Sequence, residues 1–224
     1  NNYKIKIDNK YSNTMTKDET KTILKYLNKS KKYLEFGAGN STVMASSIST
    51  IQHIYTVESS QDYIDNYLMI EPQIQNEMKS GKLAIHVIDI GDTTKWGFPR
   101  SIDKIDLWPN YSLNPFTNQE NNYDLVFVDG RFRVACALSS ILNTSKDCII
   151  MIHDFWNRPR YHILLKFLTT IEKIDTLGVF IKKRKINKRK AKKMLRKYQY
   201  IPTDHPFRFK IRRILNIFTS YIKE

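Results

Sequence analysis

Residues 31–41, Lys31-Lys32-Tyr33-Leu34-Glu35-Phe36-Gly37-Ala38-Gly39-Asn40-Ser41, decide how the rest of the chain is read. Tyr33, Leu34 and Phe36 predict a short buried strand with Glu35 near its end. The turn Gly37-Ala38-Gly39 follows, and Ser41 to Ile51 is small and apolar enough to start a helix. Strand, glycine turn and helix form the leading edge of a βαβ unit. Glycine permits both the sharp turn and a close approach of a ligand to the backbone. The helix start then aims unpaired N–H groups at the turn. Thr42 stands where a dinucleotide fingerprint has its third glycine, and Glu35 would repel a pyrophosphate. The stretch suits a ligand with a cationic amino group; a plain structural glycine turn is the alternative.

Downstream, strand patterns recur, and acids close them. His53 to Glu58 predicts a second strand whose last residue lies 19 positions after Gly39, the spacing at which an acid accepts hydrogen bonds from ribose hydroxyls. Lys82 to Asp89 predicts a third strand, Tyr123 to Val128 a fourth ending in Asp129-Gly130, and Cys148 to Ile152 a fifth ending in His153-Asp154. The fourth is apolar on both faces, as the centre of a parallel sheet requires. Helices are expected from Thr16 or Asp18 to about Asn28, from Gln61 to about Glu77 with a break near Pro72, over Val134 to Leu142, and from about Arg158 to Ile171. A final strand is expected within 173–184. Gly91 to Asn122 is long and irregular, and its aromatics make it either an ordered wall over a site or a surface excursion. Alternating strands and helices call for a three-layer α/β fold, a mostly parallel twisted sheet with helices on both faces. Ligands in such sheets gather at the carboxyl ends of the strands. Glu35, Glu58, Asp89, Asp129 and Asp154 all fall there.

Charge divides the chain. Its 224 residues carry a net charge of +15, yet residues 182–224 hold 16 Lys/Arg against 2 Asp/Glu, while residues 1–181 are nearly balanced. We therefore expect a globular unit over 1–181 and a basic, partly helical C-terminal extension over 182–224. The extension is helical from about Lys188, is broken by Pro202 and Pro206, and ends in a basic amphipathic segment over 207–222. Such a segment suits an anionic membrane surface or an acidic glycan, a nucleic acid, or packing on the domain itself. With 41% hydrophobic and 12% aromatic residues the chain is globular rather than disordered. No apolar run reaches the length of a membrane span, and the start shows no secretory signal pattern. The chain begins with Asn, so upstream residues are expected. Cys136 and Cys148 suggest neither a disulfide framework nor a zinc site. The expected location is the cytoplasm, or the inner face of a membrane if the extension binds lipid.

In order and spacing, YLEFGAGNST (33–42), TVESS (56–60), HVIDIGD (86–92), YDLVFVDGR (123–131) and IIMIHDF (149–155) resemble the class I, Rossmann-like S-adenosylmethionine-dependent methyltransferases over about residues 16–181. VDGRFRVAC (128–136) with HDFWNRPRYH (153–162) also resembles small methyltransferase-like proteins of surface-glycan clusters. The resemblance implies that Glu35 holds the methionine amino group, directly or through water. It implies that Gly37, Gly39 and Asn40 lie against the methionine moiety, that Glu58 takes the ribose, that Asp89 and Ile90 flank the adenine, and that Asp129 sits beside the sulfonium. It also implies a sugar or glycan acceptor.

Methyl transfer to a hydroxyl needs alignment and a base. The candidates are His153, Asp129 and Asp154, with histidine favoured by its ordinary pKa. Some members of the resembled family hold Mg²⁺ through an Asp after the fourth strand and an Asp-Asn pair after the fifth. Asp129, Asp154 and Asn157 would be the ligands here, although Phe155 stands where the Asn belongs. Arg131, Arg133, Arg158 and Arg160 could clamp an acidic acceptor or pair with the nearby acids. RNA or DNA methylation is an alternative, weakened because the fourth strand ends in VDGR rather than in an N/D-P-P-Y/F motif. A non-catalytic nucleoside-binding module is another.

Overall fold

The structure, a computed structural model, describes residues 15–94, 97–117 and 122–202. Seven strands form one sheet: β1 (Lys32–Phe36), β2 (His53–Glu58), β3 (Leu83–Val87), β4 (Leu125–Val128), β5 (Ile149–Ile152), β6 (Leu168–Ile174) and β7 (Leu177–Lys182). Their order is β3-β2-β1-β4-β5-β7-β6. The first five run parallel, and β7 is antiparallel to both β5 and β6. The chain travels outward from β1 through β2 to β3, then returns to β4 on the other side of β1. The strand order therefore reverses between β1 and β4, and the crevice of such a sheet opens at that reversal.

Helix α1 (Lys17–Leu27) begins with a capping box, in which Thr16 accepts from the Glu19 N–H and Glu19 accepts from the Thr16 N–H. Helix α2 (Asn40–Ser46) follows β1. The predicted helix after β2 is α3 (Gln61–Tyr63), continued by a π-helical turn (Ile64–Leu68) and, after the break, by α4 (Pro72–Lys79) with proline in its first turn. Helix α5 (Pro109–Leu113) lies within the long connection, α6 (Arg133–Asn143) follows β4, and α7 (Lys188–Tyr198) follows β7.

The period of two along each strand divides the core into two layers. Leu34, Phe36, Val126, Val128, Ile150 and Ile152 face α5 and α6; Tyr33, Ile54, Leu125, Phe127, Met151 and Val179 face α1 and α2. All four residues of β4 are fully buried, each contributing about 1.5–3 kcal/mol of apolar transfer. The long connection is ordered by its aromatics. Trp108 and Tyr111 are each 1% exposed and lie with ring centroids 5.7 and 5.5 Å from that of Phe132. The Trp108 indole N–H donates to the Ile90 carbonyl at 2.9 Å.

One stretch differs from the sequence reading. The expected helix from Arg158 to Ile171 is a 3₁₀ segment (Pro159–Lys166), and β6 already begins at Leu168. The single strand expected over 173–184 is the second half of a hairpin. Thr169, Thr170 and Ile171 are β-branched and favour a strand. The turn at Asp175-Thr176 carries no glycine signal. Glu19 of α1 holds it instead, accepting from the Thr176 N–H at 2.9 Å, the Thr176 hydroxyl at 2.6 Å and the Leu177 N–H at 3.1 Å.

Helix α7 buries Ala191 and Leu195 on α6 and turns its lysines and arginines outward. Its N-cap, Asn187, accepts from the Lys190 N–H at 2.9 Å. The basic amphipathic segment expected over 207–222 lies outside the described residues. Among the described residues no helix is long and apolar enough to cross a membrane.

The ends of β1 and β4 touch through two glycines. Gly37 has φ +96°, and a Cβ there would meet the Gly130 backbone at 2.6 Å. Gly130 in turn has room for no Cβ, because the Tyr111 hydroxyl would lie 2.2 Å from it. The variant Gly37→Ala is expected to lose about 1–3 kcal/mol of stability from overpacking and backbone strain. The urea midpoint measures this, and an unchanged midpoint would show that the strand ends separate freely.

Candidate functional site

The crevice at the β1/β4 reversal is built from the turn after β1, the ends of β2 and β4, and part of the long connection. Gly37 donates to the Val57 carbonyl at 2.8 Å, Ala38 to the Glu58 carboxylate at 3.0 Å, and Gly39 to the Thr42 hydroxyl at 2.9 Å. Glu58 also accepts from the Ser59 N–H at 2.6 Å and the Ser60 N–H at 3.1 Å. Backbone donors thus fix this half-buried carboxylate at the mouth of the turn. A Cβ on Gly39 would meet only the Tyr63 hydroxyl, at 3.7 Å, so the turn is open there. Gly97 and Phe98 of the long connection close over the same edge. A Cβ on Gly97 would lie 3.0 Å from the Ser59 hydroxyl and 3.8 Å from the Arg131 side chain, and the Arg131 guanidinium stacks 4.2 Å from the centre of the Phe98 ring. The connection therefore supplies both packed core and a wall.

Several of the candidate residues are buried. Glu35 does not face the crevice. It is fully buried and accepts from Thr42 at 2.6 Å, from Tyr33 at 3.1 Å and from Ser41. Burial pushes its pKa up to about 7 against the pull of these hydroxyls. Its work is to tie the first turn of α2 to β1, which shapes the glycine turn. At Gly37 the bare backbone admits the close approach of Gly130. Ile90 is fully buried beside Trp108, so its side chain does not flank an open pocket. Asp89 is exposed and pairs with Lys104 at 3.2 Å. Asn40 opens α2 beside the turn.

The groups at the ends of β4 and β5 form a closed ion-pair cage. Arg133 is 7% exposed, and its fork is used up: it reaches Asp129 at 2.9 Å, Asp154 at 3.0 Å, and the carbonyls of Gly130, His153 and Asp129 at 3.1, 2.7 and 3.0 Å. Arg158 adds a bond of 2.8 Å to Asp154, and Asn157 donates to the same carboxylate at 3.2 Å. Arg133 and Arg158 are thus partners of acids rather than a clamp for an acceptor. Arg160 is exposed on the 3₁₀ segment. Arg131 is left as a half-buried guanidinium that makes no ion pair among the described residues.

His153 is buried between two acids. It is 3% exposed, with Nδ1 3.0 Å from Asp129 and Nε2 3.5 Å from Glu19, a buried residue of α1. Burial opposes its charge, but the bond to Asp129 and the neighbouring carboxylates outweigh burial and raise its pKa. Asp129 and Asp154 are held below the usual carboxylate range: burial raises each, and the charge of Arg133, helped by His153, more than offsets it. All three predicted bases are thereby committed to one another. Sequence reasoning missed Glu19, although its place three residues after Thr16 is a capping-box signal; its meeting with His153 depends on α1 packing under the β6–β7 hairpin.

The side chains of Asp129, His153 and Asp154 offer three ligand atoms within 4.8 Å of one another, the kind of group that can hold a metal. They do not fit Mg²⁺. Arg133 already bonds both carboxylates, and His153 is a poor ligand for an ion that prefers oxygen.

The fold is that of the Rossmann-like methyltransferases. A methyltransferase-like protein from Silicibacter pomeroyi matches with a TM-score of 0.70 and 26% identity, over 83% of this chain and 96% of that one. A protein assigned as a caffeoyl-CoA O-methyltransferase from Staphylococcus aureus matches at 0.50 with 18% identity, over 75% of this chain and 85% of that one, and shares the fold alone. No family model and no curated protein matches the sequence.

Two predictions follow from this charge arrangement. The folded state holds the Glu35 proton more tightly than the unfolded chain, so this group's contribution to stability is lost as pH rises from 4.5 towards about 7. The effect is on the order of 3 kcal/mol. Glu35→Gln should flatten that part of the stability-versus-pH curve, and equal slopes for the two proteins would contradict the buried carboxyl. His153→Ala, which leaves Asp129 and Glu19 facing an empty space, should cost about 3–5 kcal/mol in chemical unfolding. A loss below about 1 kcal/mol, typical of exposed pairs, would place the histidine outside a charged network.

Proposed function

We propose that the chain is an S-adenosylmethionine-dependent methyltransferase that modifies an anionic, hydroxylated small acceptor of the sugar or glycan-precursor class. The observation that carries the reading is Glu58, fixed by three backbone N–H groups at the open glycine turn of the strand reversal. A carboxylate held there, with no ion pair among the described residues, accepts the two hydroxyls of a ribose. Gly39 leaves the backbone bare beside it, and Tyr63 lies over that position. S-adenosylmethionine, when bound, supplies an electrophilic methyl group on a sulfonium.

The chain's own residues then align and screen. Asp129, kept ionised by Arg133, sets negative charge at the β4 end, where a cationic group is favoured. Phe98 and Gly97 cover the edge and keep water out. Arg131, stacked and without an ion pair among the described residues, offers two N–H groups to a carboxylate or phosphate of the acceptor. With His153, Asp129 and Asp154 engaged in the cage, the rate rests mainly on alignment of the acceptor with the methyl group. The apolar face of α7 is spent on α6, so an acidic glycan or anionic surface would meet that helix through charge alone.

Titration calorimetry with S-adenosylmethionine and S-adenosylhomocysteine tests this. The native protein should bind both, and Glu58→Ala should weaken binding about tenfold or more, as loss of hydrogen bonds to a charged group does. No binding by the native protein sinks the reading; equal affinity in the variant removes Glu58 from the ribose.

A further inference from the structure

The cage at the ends of β4 and β5 contains three acids, Glu19, Asp129 and Asp154, and three bases, His153, Arg133 and Arg158. The guanidinium of Arg133 lies between two of the acids. One terminal nitrogen is 2.9 Å from Asp129 and the other is 3.0 Å from Asp154. We propose that Arg133 is a built-in substitute for a divalent cation: its fork bridges the Asp129 and Asp154 carboxylates where an ion would otherwise join them, and it makes the site metal-independent.

Geometry supports this. Asp129, His153 and Asp154 present ligand atoms within 4.8 Å of one another, so without Arg133 these side chains would form a plausible cation cluster. Arg133 approaches that cluster from the first turn of α6 and is nine-tenths buried. Its remaining donors are taken by the carbonyls of Asp129, Gly130 and His153, which prevents it from swinging away without stranding buried carbonyls. Both carboxylates are already bonded to the guanidinium, so a divalent ion could join them only by displacing it. A planar, permanently charged fork also matches two carboxylates better than a lysine would. The consequence is positional: Arg133 fixes Asp129 at the crevice and ties the ends of β4 and β5 together whichever cofactor the crevice takes.

Manganese binding followed by electron paramagnetic resonance tests the proposal without an activity assay. The native protein should show no saturable Mn²⁺ site, and its melting temperature should not differ between MgCl₂ and NaCl of equal ionic strength. Arg133→Ala exposes the Asp129–Asp154 pair. It should bind Mn²⁺ at least about tenfold more tightly than the native protein, and its lowered melting temperature should recover in part with Mn²⁺ or with millimolar guanidinium ion. Adding Asp154→Asn to that variant should abolish the gain. A stoichiometric Mn²⁺ site in the native protein that Asp154→Asn removes would overturn the proposal. So would an Arg133→Ala protein that folds but gains no cation affinity. If Arg133→Ala does not fold, the native titration remains decisive, and Arg133→Lys, which keeps one charge but not the fork, should show the same gain in weaker form.

Discussion

Two backbone segments meet with no side chain between them. Gly37 and Gly130 end neighbouring central strands, and each lies where the other leaves space for a hydrogen atom only. The contact sits at the point where strand order reverses, so it sets how the crevice opens. Everything nearby adapts to it. Tyr111 presses its hydroxyl against Gly130 and accepts from the Arg131 N–H at 3.3 Å, which fixes the start of the segment leading into α6. Glu58 reaches Ala38 from the next strand and holds the turn from the other side.

Around that contact the protein buries charge in two ways. Glu35 is fully buried among hydroxyls, with no cation beside it among the described residues, and burial raises its pKa to about 7. Asp129 is partly enclosed, with 22% of its side chain exposed, and Arg133 and His153 reach it, so its charge survives. Burial opposes ionisation in both; the guanidinium 2.9 Å away, helped by the histidine, offsets it at Asp129. In a low dielectric a paired cation outweighs neutral donors, because each unit charge interacts more strongly than a dipole. One acid therefore braces a turn, whereas the other offers negative charge at the strand end.

Much of this was legible in the residues. Glycine turn, strand-end acids and apolar runs at two-residue spacing predict a parallel α/β sheet, and the order β3-β2-β1-β4-β5 follows once β4 pairs back to β1. The hairpin of β6 and β7 was not legible as such, because its turn is held by Glu19 from 157 residues away rather than by a local glycine signal. The arginines were legible as a cluster, but their partners were not. Residues 131 and 133 are two apart, yet one guanidinium turns onto Phe98 and the other inward to the acids.

The sequence by itself determined the five parallel strands and which end of the sheet holds the acids, because strand period, glycine freedom and strand-terminal acids are properties of near neighbours along the chain. Only the tertiary structure decided what each acid and base does. His153 lies between Asp129 and Glu19, Arg133 between Asp129 and Asp154, and Glu35 among hydroxyls. The electrostatic state of a buried group depends on the charges and donors within a few ångströms, and packing brings those from distant parts of the chain.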